Sequence, residues 1–126
     1  VSCRRVLIAD REPDMADTVA TLLTLHGFQV TTVYSGTDLL TAVSKFTPDA
    51  AVCGLDLPGV NGYDVARQLR AAGHRLILIA QTGHGHPNQV TAVRAAGFDH
   101  HLLKPAQPDE LVRLLRPPAD EGDGSA

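Results

Sequence analysis

The chain predicts a doubly wound α/β fold, and three observations carry that prediction. Short apolar runs suited to strands buried on both faces alternate with amphipathic stretches at helical spacing. The alternation repeats five times along 126 residues. Glycine, proline or a capping residue punctuates the boundaries. Five such alternations imply a parallel sheet covered by helices on both faces and joined by right-handed crossovers.

Arg4 to Ala9 reads as the first strand, built on the continuous run Val6-Leu7-Ile8-Ala9. Pro13 suits a helix's first turn, with Glu12 and Asp14 near its positive end. Met15, Val19, Leu22 and Leu23 recur at helical spacing, and Gly27 stops the helix after His26. Phe28, Val30 and Thr32 alternate with polar neighbours, the pattern of an edge strand. Ser35 is placed to cap a second helix whose buried side carries Leu39, Leu40, Val43 and Phe46, and Thr47-Pro48 breaks it. Asp49 to Cys53 is the third strand. Pro58-Gly59 makes a turn, and Gly62 releases the chain into a helix over Tyr63 to Ala72, closed by Gly73. Arg75 to Ala80 forms a strand on Leu76-Ile77-Leu78-Ile79, and Gln81 to His86 reads as a Gly-rich loop. Pro87 opens a fourth helix that carries Val90 and Val93 and ends at Gly97. Phe98 to Leu103 is the last strand. Pro108-Asp109-Glu110 then opens a short helix with Leu111, Val112, Leu114 and Leu115, ended by Pro117-Pro118. One domain thus covers residues 1–118. Residues 119–126 are acidic, small and Gly-containing, and read as a disordered tail.

Composition bounds the function. With 44% apolar and 20% charged residues, the chain can fill one core and keep a solvated surface. A net charge of −3 gives no pull toward nucleic acid or membrane, and 4% aromatics without Trp argue against base-stacking platforms. No apolar run approaches the ~20 residues of a membrane span, and no signal-peptide pattern occurs. Cys3 and Cys53 fall at opposite ends of their strands, too far apart to bond, so a reducing, cytoplasmic setting is expected.

Four segments at strand ends carry a family resemblance: Val6-Leu7-Ile8-Ala9-Asp10, Gly54-Leu55-Asp56-Leu57-Pro58-Gly59-Val60-Asn61-Gly62, Gln81-Thr82-Gly83 and Leu103-Lys104-Pro105. Together they resemble a response-regulator receiver domain of two-component signalling, over roughly residues 4–116. The resemblance implies the flavodoxin-like (βα)5 fold with strand order 2-1-3-4-5. In that family the phosphoacceptor aspartate lies four residues before the loop proline, and here that place is Gly54. Two acids usually follow the first strand; here they read Asp10-Arg11. The family often shows Asp-Ile-Gly-Leu-Pro where this chain has Gly-Leu-Asp-Leu-Pro, as if acid and glycine had exchanged places.

Ligands of doubly wound folds bind outside the carboxyl ends of the strands at the topological switch point. Asp10, Arg11, Gly54, Asp56, Thr82 and Lys104 all map there. A working receiver site holds Mg²⁺ on carboxylates, one of them the nucleophile, while a lysine and a hydroxyl neutralise the phosphoryl oxygens. Thr82 and Lys104 match that hydroxyl and lysine, and Lys104-Pro105 suggests a cis bond. Gly54 offers no nucleophile. A guanidinium at Arg11 cannot ligate Mg²⁺ and repels it, so Mg²⁺ binding is expected to be lost. Arg11 is expected to stand in for the ion by pairing with Asp56 or Asp10, with Lys104 taking the other acid. His101 falls where the family often carries an aromatic switch residue. The six histidines, His26, His74, His84, His86, His100 and His101, fit no standard zinc spacing.

The leading reading is a pseudo-receiver: a binding module, not an enzyme, that signals by protein contact without accepting phosphate. Its partner would be a signalling protein such as a histidine kinase or another domain of the same pathway. The resemblance places the contact face on the fourth helix, last strand and fifth helix, through Val90, Arg94, His101, Leu103 and Leu111; a homodimer could use the same face. A second reading keeps the chemistry, with a histidine kinase phosphorylating a displaced acid such as Asp56. A flavodoxin-like nucleotide or flavin binder is a third reading, but the sequence offers it neither a phosphate loop nor flanking aromatics.

Overall fold

The computed structural model describes residues 4–83, 87–104 and 106–116. Along them run β1 (Arg5–Ala9), α1 (Pro13–Leu25), β2 (Gln29–Val33), α2 (Gly36–Phe46), β3 (Ala50–Gly54), α3 (Gly62–Ala71), β4 (Ile77–Thr82), α4 (Pro87–Ala96), β5 (His100–Leu103) and α5 (Pro108–Leu115). Cys3, His84, His86, the Lys104–Pro105 bond, Pro117-Pro118 and the tail expected over 119–126 lie outside the described residues.

The five strands form one parallel sheet in the order β2-β1-β3-β4-β5, as the resemblance implied. β1 pairs with β2 from Arg5↔Gln29 to Ala9↔Val33 and with β3 from Val6↔Ala50 to Ala9↔Cys53. Successive side chains of a strand point to opposite faces of the sheet. Leu7, Ala51 and Leu78 therefore meet Leu39, Val43, Val65, Leu69 and Val93 of α2, α3 and α4. Val6, Ile8, Val52 and Ile79 meet Ala16, Val19, Leu23, Leu111 and Leu115 of α1 and α5. Both faces are dry, which is why the central strands are apolar without alternation. Each such leucine or isoleucine taken out of water contributes about 1.5–3 kcal/mol.

Local signals set the helix ends. The Ser35 hydroxyl accepts the Asp38 N–H at 3.0 Å, and the Asn61 side chain accepts the Asp64 N–H at 3.0 Å. Caps of this kind are worth about 1 kcal/mol each. α1 has no side-chain cap at Glu12 and starts on Pro13, which has no N–H to satisfy. The buried stripe of α1 is Ala16, Val19 and Leu23, with Met15 and Leu22 half-buried at its margins.

All five strand boundaries differ from the sequence reading: β1 starts at Arg5 and not Arg4, β3 runs Ala50–Gly54 and not Asp49–Cys53, and the other three also shift. β2 starts at Gln29, leaving Phe28 buried just before it, under an Arg116 guanidinium 4.4 Å from the ring centre. β5 starts at His100; just before it the Asp99 carboxylate accepts the Leu78 N–H and Arg70, each at 2.8 Å. β4 starts at Ile77 and runs on through Gln81 and Thr82, which sequence reading assigns to a loop; they pair with Gly54 and Leu103 and stay buried.

Gly62 is demanded by a close backbone approach. A Cβ there would lie 2.5 Å from the Gly54 carbonyl oxygen and 2.8 Å from the Leu55 Cα. Those atoms are backbone and cannot swing aside. Gly62→Ala is therefore expected to cost about 1–3 kcal/mol, read as a lower urea midpoint at unchanged slope. Gly83→Ala, where a Cβ meets nothing within 4 Å, should change stability by less than about 0.5 kcal/mol.

Candidate functional site

At the carboxyl ends of the strands lies a crevice of about 340 Å³. Asp10, Arg11, Gly54, Asp56, Thr82 and Lys104 all line it. Four of them end or directly follow a strand, and Arg11 and Asp56 lie two residues past one. Asp10 follows β1, Gly54 ends β3, Thr82 ends β4 and Lys104 follows β5. β1 and β3 lie side by side while β2 lies beyond β1, so the crevice sits at the topological switch point.

Asp10 is the buried acid of the site, 2% exposed. Its Oδ1 accepts the Glu12 N–H at 3.0 Å. The Lys104 Nζ lies 2.7 Å from Oδ2. That contact is an ion pair, and among the described residues no hydrogen-bond donor is directed at Oδ2 besides it. Arg11 Nη1 reaches Asp56 Oδ2 at 2.7 Å across the mouth of the crevice. The pairing is thus Arg11 with Asp56 and Lys104 with Asp10. The two pairs differ in kind. Arg11 and Asp56 side chains are 57% and 87% exposed, so water screens them and the pair is worth less than about 1 kcal/mol. Lys104 and Asp10 are 23% and 3% exposed, and neither charge can be removed without stranding the other.

Gly54 needs no special backbone conformation, being absent from the residues with positive φ. A Cβ there would stand 3.7 Å from the Ala9 carbonyl oxygen and 3.8 Å from Asp10 Oδ2, ordinary contact distances. Next to it, the Cys53 thiol donates to the Gly54 carbonyl at 3.1 Å. Burial, and then the Asp10 charge, push that thiol up to about 12. It stays protonated and is no substitute nucleophile. Thr82 Oγ1 lies 2.8 Å from His101 Nε2, and burial pushes the His101 pKa below its ordinary 6.5.

Two residues of the crevice were not among the site residues read from the sequence, although Gln81 stands in the quoted Gln81-Thr82-Gly83 motif. Gln81 is 4% exposed on β4, and Gln89 lies near the start of α4. Neither belongs to a charge pattern, and Gln81 was hidden by its assignment to a loop. Among the described residues no group of three or more His, Cys, Asp or Glu is placed to hold a metal ion.

The α4-β5-α5 face is only partly as expected. Val90, Arg94 and Leu103 are exposed, and His101 is half-buried behind them. Leu111 is a correction: it is 2% exposed and packs into the core with Leu115, one turn on. The amphipathic stripe of α5 faces the sheet, so Leu111 cannot be a contact residue. A wider, shallower depression of about 630 Å³ lies at the opposite sheet edge, around Arg70, His74, Arg75 and Asp99. Arg70 spends its donors there on the Gly97, His74 and Leu76 carbonyls and on Asp99, which makes it a brace.

Residues 6–116 match the family model for the response regulator receiver domain. The chain belongs to that family. The receiver is 34% identical over 114 residues to the DNA-binding response regulator MtrA of Mycolicibacterium smegmatis, an alignment covering 90% of this chain and 49% of that protein. It spans about half the length of the curated relatives it matches. A chain described as a response regulator of Chloroflexus aurantiacus superposes with a TM-score of 0.81 at 30% identity, covering 90% of this chain and 94% of its own. A CheY-like receiver domain protein of Methanospirillum hungatei superposes at 0.85 over 99% of this chain and 100% of that one; at 21% identity it speaks for the fold alone. Receivers of this family act in two-component pathways.

Two measurements test the electrostatics of the site. Lys104→Met strands a buried carboxylate and should cost about 3 kcal/mol, whereas Arg11→Met should cost less than about 1 kcal/mol, both by urea unfolding. The His101 pKa is lower in the folded than in the unfolded chain, so protonation favours unfolding. Its contribution is complete above pH 6.5 and is lost as pH falls from there toward the lower folded value. His101→Gln should therefore lose less stability than the parent between about pH 7 and pH 5.

Proposed function

We propose that this receiver is a pseudo-receiver, which signals in a two-component pathway by protein contact and accepts no phosphoryl group. One observation carries the reading. The strand end that should present the nucleophile is Gly54, and the cations around it are already matched by Asp10 and Asp56. Mg²⁺ takes hard oxygen ligands in octahedral array. The donor set here does not suit it: Asp10 is the one buried carboxylate of the crevice, and an ammonium lies on its Oδ2. Asp56 is 87% exposed and its carboxylate is paired with Arg11 at the mouth of the crevice, which disfavours it as a displaced phosphoacceptor. The domain is accordingly a binding module and not an enzyme.

The contact face is α4-β5-α5, with exposed Val90, Arg94 and Leu103 at its centre. Its partner is a histidine kinase, another domain of the same pathway, or a second copy of the domain through this face. No helix among the described residues is long and apolar enough to cross a membrane. With the modest acidity of the chain, this supports a cytoplasmic protein that engages neither membrane nor nucleic acid through this domain.

Intact mass tests the reading. Incubation with acetyl phosphate and Mg²⁺ is expected to leave the mass unchanged, and Mg²⁺ alone should barely move the melting temperature. A stoichiometric, base-labile phosphoryl adduct on Asp56 would overturn it. Replacing Gly54 and Arg11 together by Asp should restore both Mg²⁺ binding and phosphorylation, with Gly54→Asp alone much weaker. Space for the new side chain exists at Cβ.

A further inference from the structure

The crevice holds two buried amide atoms with no hydrogen-bond partner among the described residues, Gln81 Nε2 and Gln89 Oε1, and a third atom, Asp10 Oδ2, whose one close partner is the Lys104 ammonium at 2.7 Å. A fourth, Arg5 Nε, lies elsewhere, on a guanidinium stacked 4.9 Å from the Phe46 ring centre. Buried polar groups are rarely left unmatched, so such atoms gathered in one cavity call for an occupant. Among the described residues the buried charge of the crevice is already matched. Asp10 is balanced by Lys104 and Arg11 by Asp56, while Glu12 is exposed to water. What remains to be satisfied is two acceptors and one donor.

We propose that the crevice binds a small neutral molecule bearing a primary carboxamide. Such a group carries two N–H donors, the complement of Asp10 Oδ2 and Gln89 Oε1. Its carbonyl oxygen is the complement of Gln81 Nε2. The cavity of about 340 Å³ exceeds by roughly tenfold the ~30 Å³ that a water occupies, so the carboxamide can carry an apolar substituent. The site lies against the receiver's contact face: Gln81 adjoins Thr82, whose hydroxyl meets His101 on β5. Binding would thus do by noncovalent occupancy what a phosphoryl group cannot do at Gly54. The inference rests on the pseudo-receiver reading, because a phosphorylated, metal-filled pocket would have no place for this ligand.

The test titrates the full chain with propionamide, with propionate and propylammonium as isosteric charged controls, followed by backbone amide NMR. The expected result is saturating shifts at Gly54, Gln81 and Thr82 with a Kd on the order of 1–10 mM, and at least about tenfold weaker response to the two ions. Gln81→Leu should weaken propionamide by about tenfold while leaving the melting temperature unchanged or higher, since it removes an unmatched polar group. Gln89→Leu makes the same test on α4 should the first variant fold poorly. Shifts that grow linearly without saturating mean ordered water only and overturn the proposal. So does propionate binding as tightly as propionamide, or a Gln81→Leu variant that binds unchanged. A phosphoryl adduct gained from acetyl phosphate would instead strike at the pseudo-receiver reading, and this titration, run without phosphodonor or Mg²⁺, is read separately from it.

Discussion

A carboxylate held away from water at the end of a central strand must have a cation beside it, and much of this site follows from that requirement. Val6-Leu7-Ile8-Ala9 is apolar because helices cover both faces of β1. The next residue, Asp10, therefore emerges at the crevice while still buried. Lys104 comes to it from beyond β5, across the width of two intervening strands. The pair ties the loop after β1 to the loop after β5, and the Glu12 N–H fixes the other carboxylate oxygen. Desolvating the two charges offsets most of their attraction. The consequence is a fixed geometry more than a gain in stability: Lys104 is committed to Asp10 before any ligand arrives. The Arg11–Asp56 pair is a weaker counterpart, screened by water and free to open at the mouth.

From this floor a short chain of contacts leads outward. Lys104 donates its backbone N–H to the Thr82 carbonyl at 2.7 Å, and the Thr82 hydroxyl meets His101. His101 stands on β5 beside exposed Leu103. Two states of that chain would have different surfaces at α4-β5-α5, but a ligand shifts a population only through differential affinity for the two states. A covalent phosphoryl group can supply such a difference where an aspartate ends β3. With Gly54 in that place, the proposed pseudo-receiver would draw that difference from something bound noncovalently or from the partner itself.

The fold was legible because its signals are local and repeated. Continuous apolar strands, Ser35 and Pro13 at helix starts, and glycines after helices each specify an element without reference to the rest. The positions of Asp10, Arg11, Gly54, Asp56, Thr82 and Lys104 were legible for the same reason, since strand ends converge on one edge. Less legible were features set by tertiary contact. Gln81 is polar and precedes Thr-Gly, so it reads as loop, yet pairing with Gly54 holds it in β4. Leu111 reads equally well as a core or a surface leucine of an amphipathic helix; packing against the α1 side of the sheet decides it. Which acid each cation takes depends on side-chain reach across strands, which spacing along the chain does not encode.

Two of the three glycines of the β3–α3 segment, Gly54 and Gly62, separate scaffold from chemistry. Gly62 is imposed by the fold, because the Gly54 carbonyl and Leu55 backbone occupy the space a side chain would need. Gly54 is not imposed. Its backbone is ordinary for any residue, and its Cβ position is open, with contacts no closer than 3.7 Å. The turn that would carry an acid into the crevice is therefore intact, along with Gly62 behind it and the lysine opposite. What the chain lacks at this strand end is a side chain and not the room for one. The missing side chain at Gly54 is thus a property of one residue, separable from the architecture around it.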